Sequence, residues 1–192
     1  MADAPHPDHN DESPPEATVT STKTAETSSE AVVLVGHGGV AKDTPRELVR
    51  ELRMLEAKRH REGGPMSARE AELDDKVRNW PRTPRTDPYK YGIGKLAEAL
   101  RPMLGDRELT IAYNEFCAPS IDTAIDALVA RGITDIAVIT TMFTPGGSHS
   151  EYEIPEILAA ARERHPTARI RYAWPFDLQR AAAFLRDTLD TA

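Results

Sequence analysis

The chain has 192 residues, a formal net charge of −7 and one cysteine, Cys117, which excludes an intrachain disulfide. Seven acids and one base lie in residues 1–30, so the rest of the chain is nearly neutral and its charge does not favour nucleic acid as a partner. No apolar run reaches the roughly 18 residues that a membrane-spanning helix needs. We therefore expect a cytoplasmic protein that binds neither nucleic acid nor a membrane.

The first 30 residues differ in composition from the rest of the chain. They are rich in Pro, Asp, Glu, Ser and Thr and contain almost no large apolar side chains. Such a segment cannot bury enough apolar surface to offset the entropy lost on ordering, which predicts a disordered acidic tail. The remaining residues, 31–192, are enough for one domain of ordinary size.

From residue 31 onward, short apolar runs alternate with segments of helical periodicity. The predicted strands are 31–36, 108–113, 134–141 and 168–174, and the predicted helices are 45–62, 67–79, 91–104, 119–131, 154–165 and 177–190. Continuous apolar strands separated by amphipathic helices are typical of a parallel sheet covered on both faces. The predicted fold class is therefore α/β, with a parallel four-stranded sheet flanked by helices.

The connection at 41–90, between the first strand and the next core helix, is unusually long. It holds the two charged helices at 45–62 and 67–79, separated by a Gly-Gly-Pro break, and then the proline-rich segment 80–89. Three prolines in that segment predict a loop of defined shape. We call 41–90 the insertion.

Three ionisable residues each follow a predicted strand: His37 the first, Glu115 the second and His149 the third. If these strands are neighbours in a parallel sheet, the three side chains emerge at one edge, outside the carboxyl ends of the strands, where such sheets bind ligands. Two imidazoles and a carboxylate suit a divalent first-row metal and leave positions for water or substrate. Each residue alone has an ordinary structural explanation, so the prediction depends on the three together.

Two further acids, Glu151 and Glu153, follow His149 closely. Either carboxylate could accept a hydrogen bond from the second imidazole nitrogen and so fix the tautomer. Both could equally complement the dipole at the start of the following helix.

These residues stand in three motifs that resemble those of the small class II tetrapyrrole chelatases of the CbiX/SirB type, relatives of ferrochelatase. The family's first strand runs into His-Gly-Ser, and here it runs into His37-Gly-Gly. A second strand ends in an acidic segment before Pro-Ser, here Tyr113-Asn-Glu-Phe and then Pro119-Ser. The most specific motif, Gly-x-His-x-x-x-(Asp/Glu)-Ile-Pro, matches residues 147–155.

The chain also departs from the family in three places. Gly39 replaces the motif serine, the insertion is much longer than the expected short helix, and the loop before His149 is less apolar than is usual. All three differences concern the surroundings of the predicted site.

The resemblance implies a chelatase-like sheet of flavodoxin-like topology, and it implies a function. His37, His149 and Glu115 would be metal-facing and catalytic, inserting Co²⁺ or Fe²⁺, or else Ni²⁺, into a tetrapyrrole such as sirohydrochlorin. The metal is then itself a substrate, and no organic cofactor is needed. Since chelatases of this type have half the bulk of a full-length ferrochelatase, the resemblance also implies a homodimer with facing sites.

A macrocycle needs an apolar slot and cations for its carboxylates. Candidates for the slot lie near the same sheet edge: Tyr113, Phe116, Met142, Phe143, Trp174 and Phe176. Candidate partners for the carboxylates lie in or beside the proline-rich loop: Arg82, Arg85 and Lys90. The alternatives are core packing for the first group and plain solvation for the second.

Three other functional classes remain open from the sequence. A metal or tetrapyrrole carrier would use the same residues without turnover. A structural α/β module would recruit a partner through its acidic tail, and a metal-dependent hydrolase would need an activated water.

Overall fold

The computed structural model describes Met1 and residues 29–192. The predicted disordered tail therefore lies almost wholly outside the described residues. The first strand begins at Glu30, one residue earlier than predicted, so the end of that segment belongs to the sheet.

The described residues form one parallel sheet of four strands in the order β2-β1-β3-β4. The strands are β1 (Glu30–Gly36), β2 (Glu108–Tyr113), β3 (Asp135–Thr140) and β4 (Arg169–Tyr172). This is the strand order of flavodoxin-like sheets. Such sheets place their ligand site at the switch point between β1 and β3, where the order in which strands are added to the sheet reverses. The predicted α/β class and the parallel sheet are confirmed.

Helices occupy the positions that the periodicity predicted, with small shifts at their ends. They are α1 (Arg46–Glu62), α2 (Ala68–Arg78), α3 (Pro88–Leu100), α4 (Ile121–Ala130), α5 (Ile154–Arg164) and α6 (Leu178–Leu189). The largest shifts are in α3, which begins three residues before its predicted start and ends four residues before its predicted end, where a 3₁₀ turn (Arg101–Met103) follows. Asp87 caps α3 by accepting a hydrogen bond from the Lys90 amide, and Pro88 occupies the first helical turn, where a proline is tolerated.

Alternate residues of β1 face opposite sides of the sheet and enter two separate cores. Val33 and Val35 pack in one cluster with α4 and α5, whereas Val32 and Leu34 pack in another with α3. The sheet is therefore covered on both faces, which explains why its strands read as continuous apolar runs. None of the described helices combines the length and the apolar character that crossing a membrane requires.

The insertion has a small core of its own. Leu52 of α1 packs with Leu73 and Val77 of α2, and the fourth fully buried member of this cluster is Phe116, from the loop after β2. The insertion is thereby anchored to the carboxyl edge of the sheet.

Candidate metal centre

Backbone pairing between β1 and β2 continues past the ends of the two strands. The Asn114 amide donates to the Gly36 carbonyl (3.0 Å), and the Glu115 amide donates to the His37 carbonyl (2.8 Å). Gly38 makes this approach possible, because a Cβ on that residue would lie 1.9 Å from the Glu115 carbonyl oxygen. Its φ of 89° also lies in the region that favours glycine. His37 and Glu115 are thus held side by side by main-chain geometry.

The three residues predicted from the sequence meet at this edge. Potential ligand atoms of His37, Glu115 and His149 all lie within 4.8 Å of one another, and His37 Nε2 is 4.0 Å from Glu115 Oε2. The two imidazole rings are 4.7 Å apart and nearly perpendicular. Ligands that bind one ion at about 2.1 Å each lie at most about 4.2 Å apart, so a small side-chain movement would let all three reach one ion. Their predicted proximity is confirmed, whereas their roles stay predictions.

His37 is held in one tautomer by its own loop. Its Nδ1 lies 2.7 Å from the Gly38 carbonyl, which can only accept a hydrogen bond, so Nδ1 carries the proton and Nε2 keeps a lone pair. The His37 amide donates to the Tyr89 hydroxyl oxygen at 2.8 Å, which ties the loop to the start of α3. The nitrogen that can bind a metal ion is therefore Nε2, which lies 4.0 Å from Glu115 Oε2.

His149 is held in the same tautomer by a carboxylate. Its Nδ1 lies 2.8 Å from Glu153 Oε2 and 3.0 Å from Asn114 Nδ2, which donates to the same carboxylate oxygen at 2.9 Å. A carboxylate oxygen can only accept, so it requires the proton on Nδ1, and the Asn114 amide then donates to Glu153. Burial opposes ionisation of Glu153, but the hydrogen bonds from His149 and Asn114 outweigh it and hold the pKa of this carboxyl below its usual value. A charged Glu153 thus fixes the proton on Nδ1 and leaves the lone pair on Nε2.

Of the two acids that the sequence offered for this purpose, only Glu153 reaches the imidazole. Glu151 Oε1 instead accepts a hydrogen bond from the Gly146 amide (3.2 Å) and closes the preceding loop. Asn114, which the sequence analysis did not single out, completes the pair with Glu153.

A single π-helical turn, His149–Glu153, presents both the imidazole and its carboxylate. Pro155 has no N–H to offer to the Ser150 carbonyl five residues earlier, and the Tyr172 hydroxyl donates to that oxygen instead (3.2 Å). The Ser150 hydroxyl in turn donates to the Met142 carbonyl (3.0 Å). Turns of this kind occur frequently at functional sites.

The insertion adds a cation that the sequence analysis missed. Arg53 of α1 places one guanidinium nitrogen 4.0 Å from Glu115 Oε2 and the other 3.9 Å from Glu56 Oε2, with its carbon 4.2 Å above the Phe116 ring. Burial raises the pKa of Glu56, and the charge of Arg53 opposes that rise. No local pattern in a charged helix indicates which of its arginines will meet a residue 62 positions later.

Beside the three residues lies a polar cavity of about 500 Å³ between the sheet edge and the insertion. Asn114, Glu115 and Glu153 line it from the sheet, and α1 and α2 supply the opposite wall. We call it the polar cavity.

Arg82 does not have the predicted role in substrate binding. Only 4% of its side chain is exposed; it forms an ion pair with Asp87 and donates to the carbonyls of Gly39, Val77 and Phe116. These bonds join the loop after β1, the end of α2 and the loop after β2. Because they occupy the guanidinium, it is not free to pair with a substrate carboxylate, and the prediction is corrected.

The other predicted substrate-binding residues differ in how far they are buried. Tyr113 and Phe116 are 2% and 4% exposed and pack in separate cores, so core packing, the alternative left open by the sequence, accounts for them and neither lines an open slot. Lys90 donates to the Ala118 carbonyl at 3.4 Å. Arg85 is exposed and stays a prediction.

Phe143 belongs to an apolar pocket of about 590 Å³ at the carboxyl ends of β3 and β4. Phe143 and Trp174 each make an edge-to-face contact with Phe176, with ring centroids 6.4 Å and 5.6 Å apart. Arg180 and Phe184 of α6 also line this space, which we call the aromatic pocket. Met142 is half-buried against the core next to it.

Comparisons with known proteins connect the chain to one family. The family model described as CbiX matches residues 84–189. The sirohydrochlorin cobaltochelatase of Priestia megaterium is 35% identical over 70 residues, and the sirohydrochlorin ferrochelatase of Bacillus subtilis (strain 168) is 32% identical over 68 residues. The crystal structure of the sirohydrochlorin chelatase SirB from Bacillus subtilis subspecies spizizenii in complex with cobalt superposes with a TM-score of 0.48 at 21% identity.

These matches cover limited parts of the longer relatives. The aligned segments span 36% and 35% of this chain but only 22% and 26% of the two curated proteins. The superposition covers 76% of this chain and 43% of the cobalt-bound structure.

Proposed function

The chain belongs to the CbiX family, and we propose that it inserts a divalent metal ion, Co²⁺ or Fe²⁺, into a tetrapyrrole such as sirohydrochlorin. The observation that carries this proposal is the group formed by His37, Glu115 and His149, whose ligand atoms lie within 4.8 Å of one another at an accessible sheet edge. The names of the curated relatives, a cobaltochelatase and a ferrochelatase of sirohydrochlorin, support the choice of substrates. Ni²⁺ is the third metal that such a ligand set suits.

The reaction requires both metal transfer and proton removal. Each ion that enters the ring replaces two pyrrole N–H protons, so two protons must pass to acceptors on the protein or in water. His37 and His149 each present an Nε2 lone pair, with Nδ1 protonated and hydrogen-bonded, and a neutral imidazole is a suitable base near pH 7. In this proposal the Nε2 lone pairs would hold the ion, and once the ion has passed to the ring the same lone pairs would take up the two pyrrole protons; Glu115 assists in both tasks.

The macrocycle needs a wall against which an aromatic ring can pack. The aromatic pocket could meet this need, because Phe143, Trp174 and Phe176 present apolar surface at the same edge of the sheet as His37, Glu115 and His149, which we call the triad. Arg180 at that pocket and the exposed Arg85 are available as partners for the substrate's carboxylates.

We further propose that the protein acts as a cytoplasmic homodimer. Three leucines spaced along α6, Leu178, Leu185 and Leu189, are exposed and form an apolar stripe that a second copy would cover. The single cysteine, Cys117, is buried and free, as suits a reducing compartment. Sedimentation at several protein concentrations tests the dimer, and a monomer at micromolar concentration would contradict it.

The decisive experiment is an anaerobic absorbance time course with sirohydrochlorin and Co²⁺ or Fe²⁺, with the protein far below the substrate. Wild type, His149→Ala and a blank without protein are compared, and His165→Gln serves as a matched control because His165 pairs with Asp126, outside the triad. We expect multiple turnovers in wild type and the control, and none above the blank in His149→Ala.

Other outcomes of this experiment would reject the proposal. Uptake that stops after one equivalent would indicate a metal or tetrapyrrole carrier instead of an enzyme. Equal rates in His149→Ala and wild type would remove the triad from the mechanism.

A further inference from the structure

Three arginines of the insertion, Arg53, Arg78 and Arg82, contact the loop that carries Glu115, and a fourth, Arg59, lines the same cavity as Glu115. All but Arg53 are firmly held. Arg59 is 2.8 Å from a carboxylate oxygen of Glu70, Arg78 is 2.7 Å from one of Asp74, and Arg82 is enclosed by its ion pair and its carbonyl partners. These three guanidinium groups are therefore held in place by bonds within the fold.

Arg53 is held only loosely. Its contacts with Glu56 and Glu115, at 3.9 and 4.0 Å, are too long for hydrogen bonds, and the described part of the chain offers the guanidinium no shorter polar contact. Its position is set by the Phe116 ring beneath it, through an attraction between cation and ring face. About half of the side chain is exposed, so it can move into water without breaking a buried network.

Arg53 also lies beside the carboxylate that a metal ion would bind. Glu115 is the one carboxylate of the triad, and Arg53 is the arginine that lies within 4 Å of it. A divalent ion arriving at Glu115 would meet a positive charge already beside the carboxylate. The two cations cannot share that oxygen without strong repulsion.

We propose that Arg53 is the counter-ion of Glu115 in the metal-free site and that an incoming divalent cation displaces it. Arg53 is thus a positioning residue that acts through Glu115, weakening the site's hold on the ion and so favouring its release to the ring. The insertion makes this possible, because α1 brings the guanidinium to the sheet edge. The inference rests on the proposed function only in taking a divalent metal as the ligand of the triad.

The test measures Co²⁺ binding to the full chain by titration calorimetry, without any tetrapyrrole. Arg53→Met removes the charge while keeping an apolar contact with Phe116, and Arg53→Lys keeps the charge. Arg50→Met is the matched control, since Arg50 lies one turn earlier on the same helix, is exposed and forms no ion pair within residues 29–192.

We expect Arg53→Met to bind Co²⁺ roughly fivefold more tightly than wild type, because the ion no longer has to displace Arg53 from Glu115, a pair of unit charges about 4 Å apart in a water-like dielectric. Arg53→Lys and Arg50→Met should stay within about twofold of wild type, and the gain in Arg53→Met should shrink as salt is raised. In turnover, Arg53→Met should lower the KM for Co²⁺ without raising kcat, a split that a merely structural role would not produce.

Unchanged or weaker Co²⁺ binding in a folded Arg53→Met protein would overturn the proposal. If that variant does not fold, Arg53→Gln takes its place under the same criterion. A wild-type protein that binds Co²⁺ but turns over no tetrapyrrole would reject the proposed function while leaving the Arg53 result to be judged by binding alone.

Discussion

The strand ends and the insertion both reach the same edge of the sheet, but they contribute different chemistry. Loops that follow β1, β2 and β3 supply the imidazoles and the carboxylate, and their positions follow from strand register and from one glycine. The insertion supplies arginines, three of which bind carboxylates or loop carbonyls at short range. The strand ends thus present the reactive groups, whereas the insertion mainly fixes the loops that hold them.

This comparison indicates where substitutions should affect stability and where they should affect metal binding. Substitutions of the insertion's firmly held arginines, Arg59, Arg78 and Arg82, should lower the stability of the fold. Substitutions of side chains that hydrogen-bond to the triad should leave the protein folded but lower its affinity for a metal ion.

The largest effect on stability is expected for Arg82→Met. The substitution leaves the Asp87 carboxylate, 4% exposed, without its ion-pair partner and also removes bonds to three backbone carbonyls, two in loops and one at the end of α2. Removing one partner of a buried pair costs about 3–5 kcal/mol of unfolding free energy, measurable by urea denaturation. The exposed neighbour Arg85→Met is the control and should change stability by less than about 0.5 kcal/mol. A loss below 1 kcal/mol for Arg82→Met would show that the bonds of Arg82 do not stabilise the fold.

The next largest effect is expected for Gly38→Ala. The new methyl carbon would lie 1.9 Å from the Glu115 carbonyl oxygen, at a φ of 89° that alanine adopts only with strain. We expect a loss of about 1–3 kcal/mol from the strained backbone, with further loss from the clash. His37 and Glu115 should also separate, so Co²⁺ binding should fall. Thermal unfolding and calorimetry measure the two effects, and wild-type values in both would contradict the close approach described here.

Glu153→Ala should leave the fold intact and weaken the site. Without the carboxylate, His149 loses the acceptor that keeps its proton on Nδ1, and losing such a partner typically costs 10–100-fold in metal affinity. Glu151→Ala is the matched control, because Glu151 contacts the loop amide of Gly146 and not the imidazole. Equal Co²⁺ affinity in the two variants would remove Glu153 from the metal centre.

The smallest effect is expected for Gly39→Ser, which restores the serine of the family motif. A Cβ on Gly39 would have no atom within 4 Å, and its φ lies outside the strained region. We expect the free energy of unfolding to change by no more than about 0.5 kcal/mol. A large loss, comparable to that of Gly38→Ala, would show that the two glycines are not as different as their surroundings indicate.

Sequence reasoning succeeded where the signal is local. The runs that became β1 and β2 are continuous apolar segments, so their bounds were predicted within a residue, and the histidines and the acid that follow strands met as expected. The start of α3 was predicted three residues late, although Asp87 and Pro88, a cap and a first-turn proline, carried a local signal for the earlier start.

It failed where the outcome depends on distant contacts. Arg82 was predicted to face a substrate because it lies in an irregular loop, yet it is enclosed by the loop after β1, the end of α2 and the loop after β2. Arg53 carried no signal at all, since helical spacing cannot show which distant loop a side chain will reach. Pro155 was the one sequence signal for the π turn. Tyr172, which stabilises the turn by donating to the Ser150 carbonyl, lies in the last strand.

Tyr172 links two parts of the molecule that have so far been described separately. Its hydroxyl holds the Ser150 carbonyl in the turn that presents His149, and its ring stacks on Trp174, with centroids 6.2 Å apart, in the wall of the aromatic pocket. A molecule that shifts Trp174 therefore pushes on the same side chain that steadies the imidazole. Coupling between two binding sites is reciprocal in free energy, so if a molecule in the pocket changes the affinity for the ion, the ion changes the affinity for that molecule by the same factor.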